Sequence, residues 1–215
     1  MGKRLLLGLG ILILVLCFFM NFSNSQFNFK NYNKNTENYL TILLNNTTKL
    51  LNDNKIDYWL DFGTCLGAFR DNDFIHHDTD IDISIFDDDN SKLKKILNNK
   101  ELLNNINLKV IRLHKDLISL KLIKFNNRST DNNVRANPND DPYIDIYIVK
   151  YKPYFDEIKF KGKMHNIPIK TNEYLEYIYG KTWDVPIKDK HADFNKIKNE
   201  LKFSDYFKKN INYHT

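Results

Sequence analysis

A chain of 215 residues and 25.6 kDa sets 32 Lys and Arg against 27 Asp and Glu, for a formal charge of only +5 at pH 7; this length suits one globular domain. With 42% hydrophobic and 13% aromatic residues but only 7 Gly and 5 Pro, it can close a core, which excludes disordered, collagen-like and linker-like chains. The positive excess is Lys scattered among Asn, Ile, Tyr and Phe, without a basic helix or zinc-finger spacing, so no nucleic-acid partner is expected.

The elements begin with an apolar run. From Leu5 to Met20 every residue is apolar or Gly, behind Lys3 and Arg4, which is the pattern of a membrane helix with its basic flank in the cytosol. Counted to Phe22, it measures about 18 residues or roughly 27 Å, enough for a thin bilayer. The rival, a cleaved signal peptide, lacks a small-x-small site in the following NFSNSQFNF, so residues 1–22 are expected to be a cytosolic tip and uncleaved signal-anchor. A stalk over 23–35 then leads to a globular domain over 36–215, in a single-pass type II arrangement with that domain lumenal or extracellular. Asn45, Asn46 and Asn127 open N-x-[ST] triplets, which fit a glycoprotein; chance explains them equally well in so Asn-rich a chain. Two distant cysteines, Cys17 and Cys65, cannot staple a small secreted domain.

In the globular part, Leu40, Leu43, Leu44, Leu50 and Leu51 follow helical spacing and predict an amphipathic helix over 37–53 with Thr36 as its cap. Ile56 to Phe62 reads as a strand, Gly63 as a tight turn and Thr64 to Arg70 as the next helix. Ile81 to Phe86 is a strand and Ser91 caps a helix through Leu93, Ile96 and Leu97. Val110 to Leu113 and Leu117 to Phe125 form a hairpin, and Arg128 to Pro142 is loop. Strands at Tyr143 to Val149 and Ile158 to Met164 precede helices at Thr171 to Tyr179, stopped by Gly180, and at Phe194 to Lys209.

The chemistry concentrates in Tyr58 to Ile85, where Asp78, Asp80 and Asp82 recur every second residue while Ile81, Ile83 and Ile85 alternate with them. A strand puts the acids on one face and the isoleucines on the other. Two unit charges near 4 Å repel by about 4 kcal/mol at an effective dielectric of 20, so such carboxylates call for a cation. Oxygen donors without a Cys/His set favour Mg²⁺ or Mn²⁺ over Zn²⁺. Asp145 repeats the pattern in Tyr143 to Ile148, opposite in facing to Ile144, Ile146 and Ile148. Side by side, the two strands would present three carboxylates able to hold metal against a phosphate chain and deprotonate an attacking hydroxyl. Gly63 and Thr64 supply a strand-to-helix junction where an anion can dock, Gly67 permits close chain approach, and Arg70 is a fixed cation between junction and acids. Asp87, Asp88 and Asp89 read as an exposed turn, Cys65 as a filler, Trp183 as a packed aromatic, and Asp61 as an N-cap or an orienting group.

The stretch GTCLGAFRDNDFIHHDTDIDISI resembles the LicD/fukutin signature, G-T-L-L-G-A-x-R, a spacer, then W-D-x-D-I-D, and Ile167 to Ile169 with Tyr179 to Pro186 resembles that family's carboxyl-terminal region. The resemblance implies an α/β (α+β) nucleotidyltransferase-like fold with a mixed sheet flanked by helices. It also implies transfer of a phospho-alcohol, such as phosphocholine or ribitol phosphate, from a CDP-linked donor to a glycan hydroxyl. Asp80, Asp82 and Asp145 are then expected to ligate the metal, Gly63, Thr64 and Arg70 to bind the donor, and Asp78 or Asp145 to accept the proton. The sequence departs from the pattern at Cys65, Phe69, Asp71 and the pair His76-His77, positions that bear on the donor more than on the carboxylates. The alternatives are a nucleotidyltransferase attaching a nucleoside monophosphate and a catalytically silent membrane protein that binds a glycan or a partner.

Overall fold

The computed structural model describes residues 36–76, 78–123, 142–150 and 154–186. The chain divides into Met1–Asn38 and Tyr39–Thr215, and of the first part only residues 36–38, which are helical, are described. The apolar run from Leu5, the stalk, Cys17, Asn127 and the helix expected at Phe194 all lie outside the described residues. Among the described residues no helix is long and apolar enough to cross a membrane.

Helix α1 runs to residue 53 and already includes Thr36, which is therefore within the helix and not its cap. It buries Leu40, Leu43, Leu44, Leu50 and Leu51, the stripe its spacing demanded. The triplets at Asn45 and Asn46 sit inside this helix: Thr47 and Thr48 are buried and the Asn46 amide donates to the Ile106 carbonyl at 2.9 Å. Neither of these two triplets presents the exposed loop that glycosylation needs, which removes Asn45 and Asn46 as acceptors.

Five strands form one mixed sheet in the order β1-β2-β5-β4-β3, with β1 Tyr58–Leu60, β2 Asp80–Phe86, β3 Leu108–Leu113, β4 Leu117–Leu122 and β5 Tyr143–Val149. β2 and β5 are parallel; β1–β2, β4–β5 and β3–β4 are antiparallel. Period-2 alternation sends Ile81, Ile83 and Ile85 of β2, Ile144 and Ile146 of β5, and Ile118 and Leu120 of β4 to one face, each with no exposed surface. Each such side chain contributes about 1.5–3 kcal/mol on burial, so the register is strongly specified: a slip by one residue would bury the acids instead.

Between β1 and β2 lies α2, Phe62–Arg70, and beyond β2 a short 3₁₀ turn, Asp87–Asp89, leads into α3, Asn90–Leu97. Helix α3 begins one residue before Ser91, so that residue is not its cap. A further helix, α4 Lys100–Asn105, is capped by Asn99, whose side chain accepts from the Leu102 N–H; its single buried residue, Leu103, leaves little periodicity to read. The strand expected at Ile158 to Met164 is instead a hairpin, β6 Phe155–Phe160 and β7 Lys163–Pro168. Its two-residue turn has Lys161 at φ 47° and Gly162 at φ 82°, the double positive φ that matches strand twist. Helix α5, Thr171–Tyr179, stops as expected at Gly180, φ 84°.

Candidate active site

The parallel pairing of β2 and β5 sets Asp82 directly opposite Asp145 and Asp80 opposite Tyr143, while β4 adds Ser119 opposite Asp145. Registered partners point to the same side of a sheet, so these acids share the face that the isoleucines leave. The Ser119 hydroxyl donates to Asp145 Oδ1. Asp145 is almost wholly buried, whereas Asp80 and Asp82 are half-buried.

Helix α2 is fastened onto this face at its first turn. Asp61, following β1, is its N-cap, and Phe62 takes φ 39°, a left-handed backbone that a bulky aromatic adopts only when held. It is held by its N–H, donated to Asp61 Oδ1 at 2.9 Å, and by its ring, packed edge-on at 4.8 Å against Tyr147. The Asp61 carboxylate also accepts from Trp59 Nε1 at 3.2 Å, from Ser84 Oγ at 2.6 Å and from the Tyr174 hydroxyl. Four donors from β1, β2, α2 and α5 thus converge on one buried anion, which braces the floor behind the acids.

Gly63 lies within the first turn of α2 rather than in a turn before it. Its N–H donates to Asp82 Oδ2 at 3.1 Å, and the Asp82 N–H donates to Thr64 Oγ1 at 2.8 Å. A Cβ at Gly63 would stand 3.0 Å from Asp78 Oδ2 and 3.1 Å from Asp82 Oδ2. The missing side chain therefore leaves the space in which two carboxylates meet the helix N-terminus, and Asp78 joins the cluster from the loop before β2.

Burial pushes the Asp82 carboxyl well above the usual range, and the charges of Asp80, Asp61 and Asp78 add to this against the Gly63 N–H. Asp80 is raised by burial and by Asp145; Asp145 is raised by burial, eased by the Ser119 bond and by Arg112. Acids that raise one another in a half-dry site accept a hard cation readily. The oxygen-only donors and the cradle at Gly63 fit Mg²⁺ or Mn²⁺ by chemistry, although among the described residues no three acidic, His or Cys side chains are drawn into a finished ligand set.

Arg70 stands at the other end of α2, where Nε and Nη2 bond Asp71 at 2.8 and 2.7 Å and Nη1 donates to the Trp183 carbonyl at 3.3 Å. Its charge also feels Asp78. Trp183 packs on Phe69, ring centroids 6.0 Å apart, and Cys65 is buried with its thiol pushed well up by desolvation and by Asp61, which disfavours the reactive thiolate. His76 is exposed; His77 lies outside the described residues. Ser119, Ser84, Tyr147 and Tyr179 escaped the sequence reading. The phenols of Tyr147 and Tyr179 are both raised, first by burial and next by Asp82. The single available signal was a Ser inside each of two apolar strands.

A family profile described as LicD/FKTN/FKRP, nucleotidyltransferase domain, matches residues 55–170. The ribitol-5-phosphate transferases FKTN of Macaca fascicularis and Homo sapiens are each 25% identical over 169 residues, 68% of this chain and 33% of theirs. The chain thus spans about a third of the length of these relatives. Uncharacterized protein RP689 of Rickettsia prowazekii (strain Madrid E) is 34% identical over 79 residues, 37% of this chain and 30% of that one. Among solved structures, the lincomycin-bound lincosamide antibiotic adenylyltransferase LnuA is similar with a TM-score of 0.42 and 17% identity, over 74% of this chain and 94% of that one. With more than half of its residues under that profile, all three strand-borne acids among them, the chain is a transferase-family protein and belongs to the LicD/FKTN/FKRP nucleotidyltransferase-domain family.

Proposed function

We propose that the protein transfers a phospho-alcohol from a CDP-linked donor to a glycan hydroxyl in a divalent-metal-dependent reaction. The observation that supports this most is the direct pairing of Asp82 with Asp145 across parallel strands, with Asp80 on the same face. Asp80 and Asp82 would hold Mg²⁺ or Mn²⁺, with Asp145 beside them, and the ion when bound supplies charge neutralisation along the diphosphate. Asp145 takes the proton of the attacking hydroxyl. Burial has raised its basicity and Ser119 holds Oδ1, which leaves Oδ2 for the proton. The hydroxyl oxygen forms its bond to the alcohol-bearing phosphorus as the bond to the CMP oxygen breaks in line.

The absent side chain at Gly63 lets Asp78 and Asp82 approach the first turn of α2, beside which the donor diphosphate would lie, and Thr64 keeps β2 in place through the Asp82 N–H. Arg70, whose charge Asp78 also attracts, serves donor oxygens on exchanging its bond with Asp71. The apolar run from Leu5 to Met20 behind Lys3 and Arg4 supports a membrane-anchored enzyme acting on glycans outside the cytosol.

Incubation of the full chain with CDP-choline, CDP-ribitol, CDP-glycerol or GDP-mannose and a glycan acceptor, in Mg²⁺ or Mn²⁺, tests this by phosphorus NMR. CMP release from a CDP-linked donor with a new sugar phosphodiester is expected, and turnover of GDP-mannose alone, with GMP release, would overturn the CDP assignment. A nucleotidylated acceptor would overturn the assignment of the transferred group, and no turnover with any donor would overturn the enzymatic reading.

A further inference from the structure

We propose that Arg112 is a phosphate-binding residue of this site, an oxyanion contact on the β3 side, facing the carboxylates from the flank opposite α2. The inference rests on the transferase reading above and extends it to a residue that neither the acid motif nor the glycine junction points to. In a regular β3, alternation would send Leu108, Val110 and Arg112 to the same face, and Leu108 is fully buried in the core. The register instead shifts between Val110 and Arg112, so that Val110 pairs with Leu120 and Arg112 with Ser119. Ile111 is the extra residue, and its insertion moves Arg112 from the core face to the acid face.

The destination is specific. Ser119 is the residue whose hydroxyl bonds Asp145 and whose own register partner is Asp145, itself paired with Asp82. One row across four strands therefore reads Asp82, Asp145, Ser119, Arg112. Arg112 sits two strand spacings from Asp145, about 10 Å between backbones, a separation a long guanidinium side chain shortens. Its charge is felt by Asp145 and by Tyr143. The residue is exposed, and among the described residues no hydrogen bond or ion pair commits its guanidinium. Arg70, by contrast, is bound to Asp71. A metal-neutralised diphosphate lying over the acids has oxygens on both flanks, and a guanidinium fork at the edge suits such an oxyanion.

Isothermal titration of the full chain with inorganic pyrophosphate at fixed Mg²⁺ tests the assignment. Arg112→Gln is expected to weaken binding about tenfold and Arg112→Lys, which keeps the charge without the fork, by less. Lys95→Gln removes the same charge from an exposed position on α3 and is expected to stay within twofold. Mn²⁺ titration without pyrophosphate separates a phosphate contact from a mere partner of Asp145: removal of a nearby cation is expected to leave Mn²⁺ affinity unchanged or tighter. Equal pyrophosphate binding by wild type and Arg112→Gln would overturn this inference and leave the transferase reading standing, as would a loss of Mn²⁺ affinity matching the loss of pyrophosphate. A wild-type chain that binds no pyrophosphate would overturn both together.

Discussion

Replacing Gly67 with Ala sets two known effects against each other, and the structure decides between them. In an exposed helix, Gly to Ala gains about 1 kcal/mol through backbone entropy. Gly67, in the second turn of α2, faces the returning loop instead. Its Cβ would stand 2.6 Å from the Asp73 carbonyl oxygen, 3.0 Å from the Ile75 nitrogen and 3.2 Å from Ile75 Cγ1. Two of the three are backbone atoms, and the same loop is tied to Gly67 by the Asp71 and Asp73 N–H groups, 2.9 and 3.4 Å from its carbonyl. Ordinary contact begins at 3.4 Å, so the loop must retreat by 3.4 − 2.6, about 0.8 Å, and overpacking against backbone, which cannot swing away, costs about 2–3 kcal/mol, the upper part of the usual range. A net loss of about 1–2 kcal/mol is expected, read as a lower urea midpoint at unchanged slope and a Tm lower by about 5 °C. The loop continues to Asp78, whose N–H bonds the Ile75 carbonyl at 2.9 Å, so transfer should fall by more than tenfold, since displacements near 1 Å are costly at a reacting centre. A Gly67→Ala chain as stable as wild type, or more so, would refute the close-approach account of this glycine.

Asp80→Asn is expected to abolish transfer while raising the metal-free Tm at pH 7: the Asp80 pKa is raised in the fold by burial and by Asp145, so its ionised form costs stability above the unfolded value and the cost grows until pH passes the folded value. A lower Tm would contradict it. Burial, aided by Lys163, lowers His165 from 6.5 to about 4; its Nδ1 meets the Tyr58 hydroxyl at 3.0 Å and its Nε2 has no partner among the described residues. The neutral ring's contribution is complete above pH 6.5 and is lost as pH falls toward 4, up to about 3 kcal/mol, so urea midpoints of His165→Leu should fall less than wild type across that window. Equal acid slopes in the two chains would remove His165 from the account. Tyr174→Phe deprives the buried Asp61 carboxylate of one of its four donors and is expected to cost about 2 kcal/mol in urea unfolding; a change below about 0.5 kcal/mol would show that Asp61 is not the brace of this floor.

Much of the site was legible because strand alternation is local. Each of Asp80, Asp82 and Asp145 declares its face against isoleucines one residue away, and a two-residue period needs nothing from the rest of the chain. The same holds for the leucine stripe of α1, the stop at Gly180 and the tight approach at Gly67, where a scarce glycine in a helical stretch marked a close contact. The hairpin of β6 and β7 was misread because Gly162 sits in an otherwise β-like run, where a single glycine marks a bend only once both flanking strands have something to pair with.

What tertiary structure alone decided is which faces meet. The neighbour relation of β2 and β5 spans α3, α4, β3 and β4, and nothing local in either strand names its partner; the pairing follows from burying both isoleucine faces in one core. Only that pairing puts Asp82 beside Asp145. Asp61 reads locally as a helix cap, yet it becomes a brace because Ser84 and Tyr174 arrive from distant elements. Plain alternation along β3 would put Arg112 on the core face, and only the register shift after Val110 sets it opposite Ser119. Periodicity within a segment is written in adjacent residues, whereas convergence between segments is set by packing that no single segment contains.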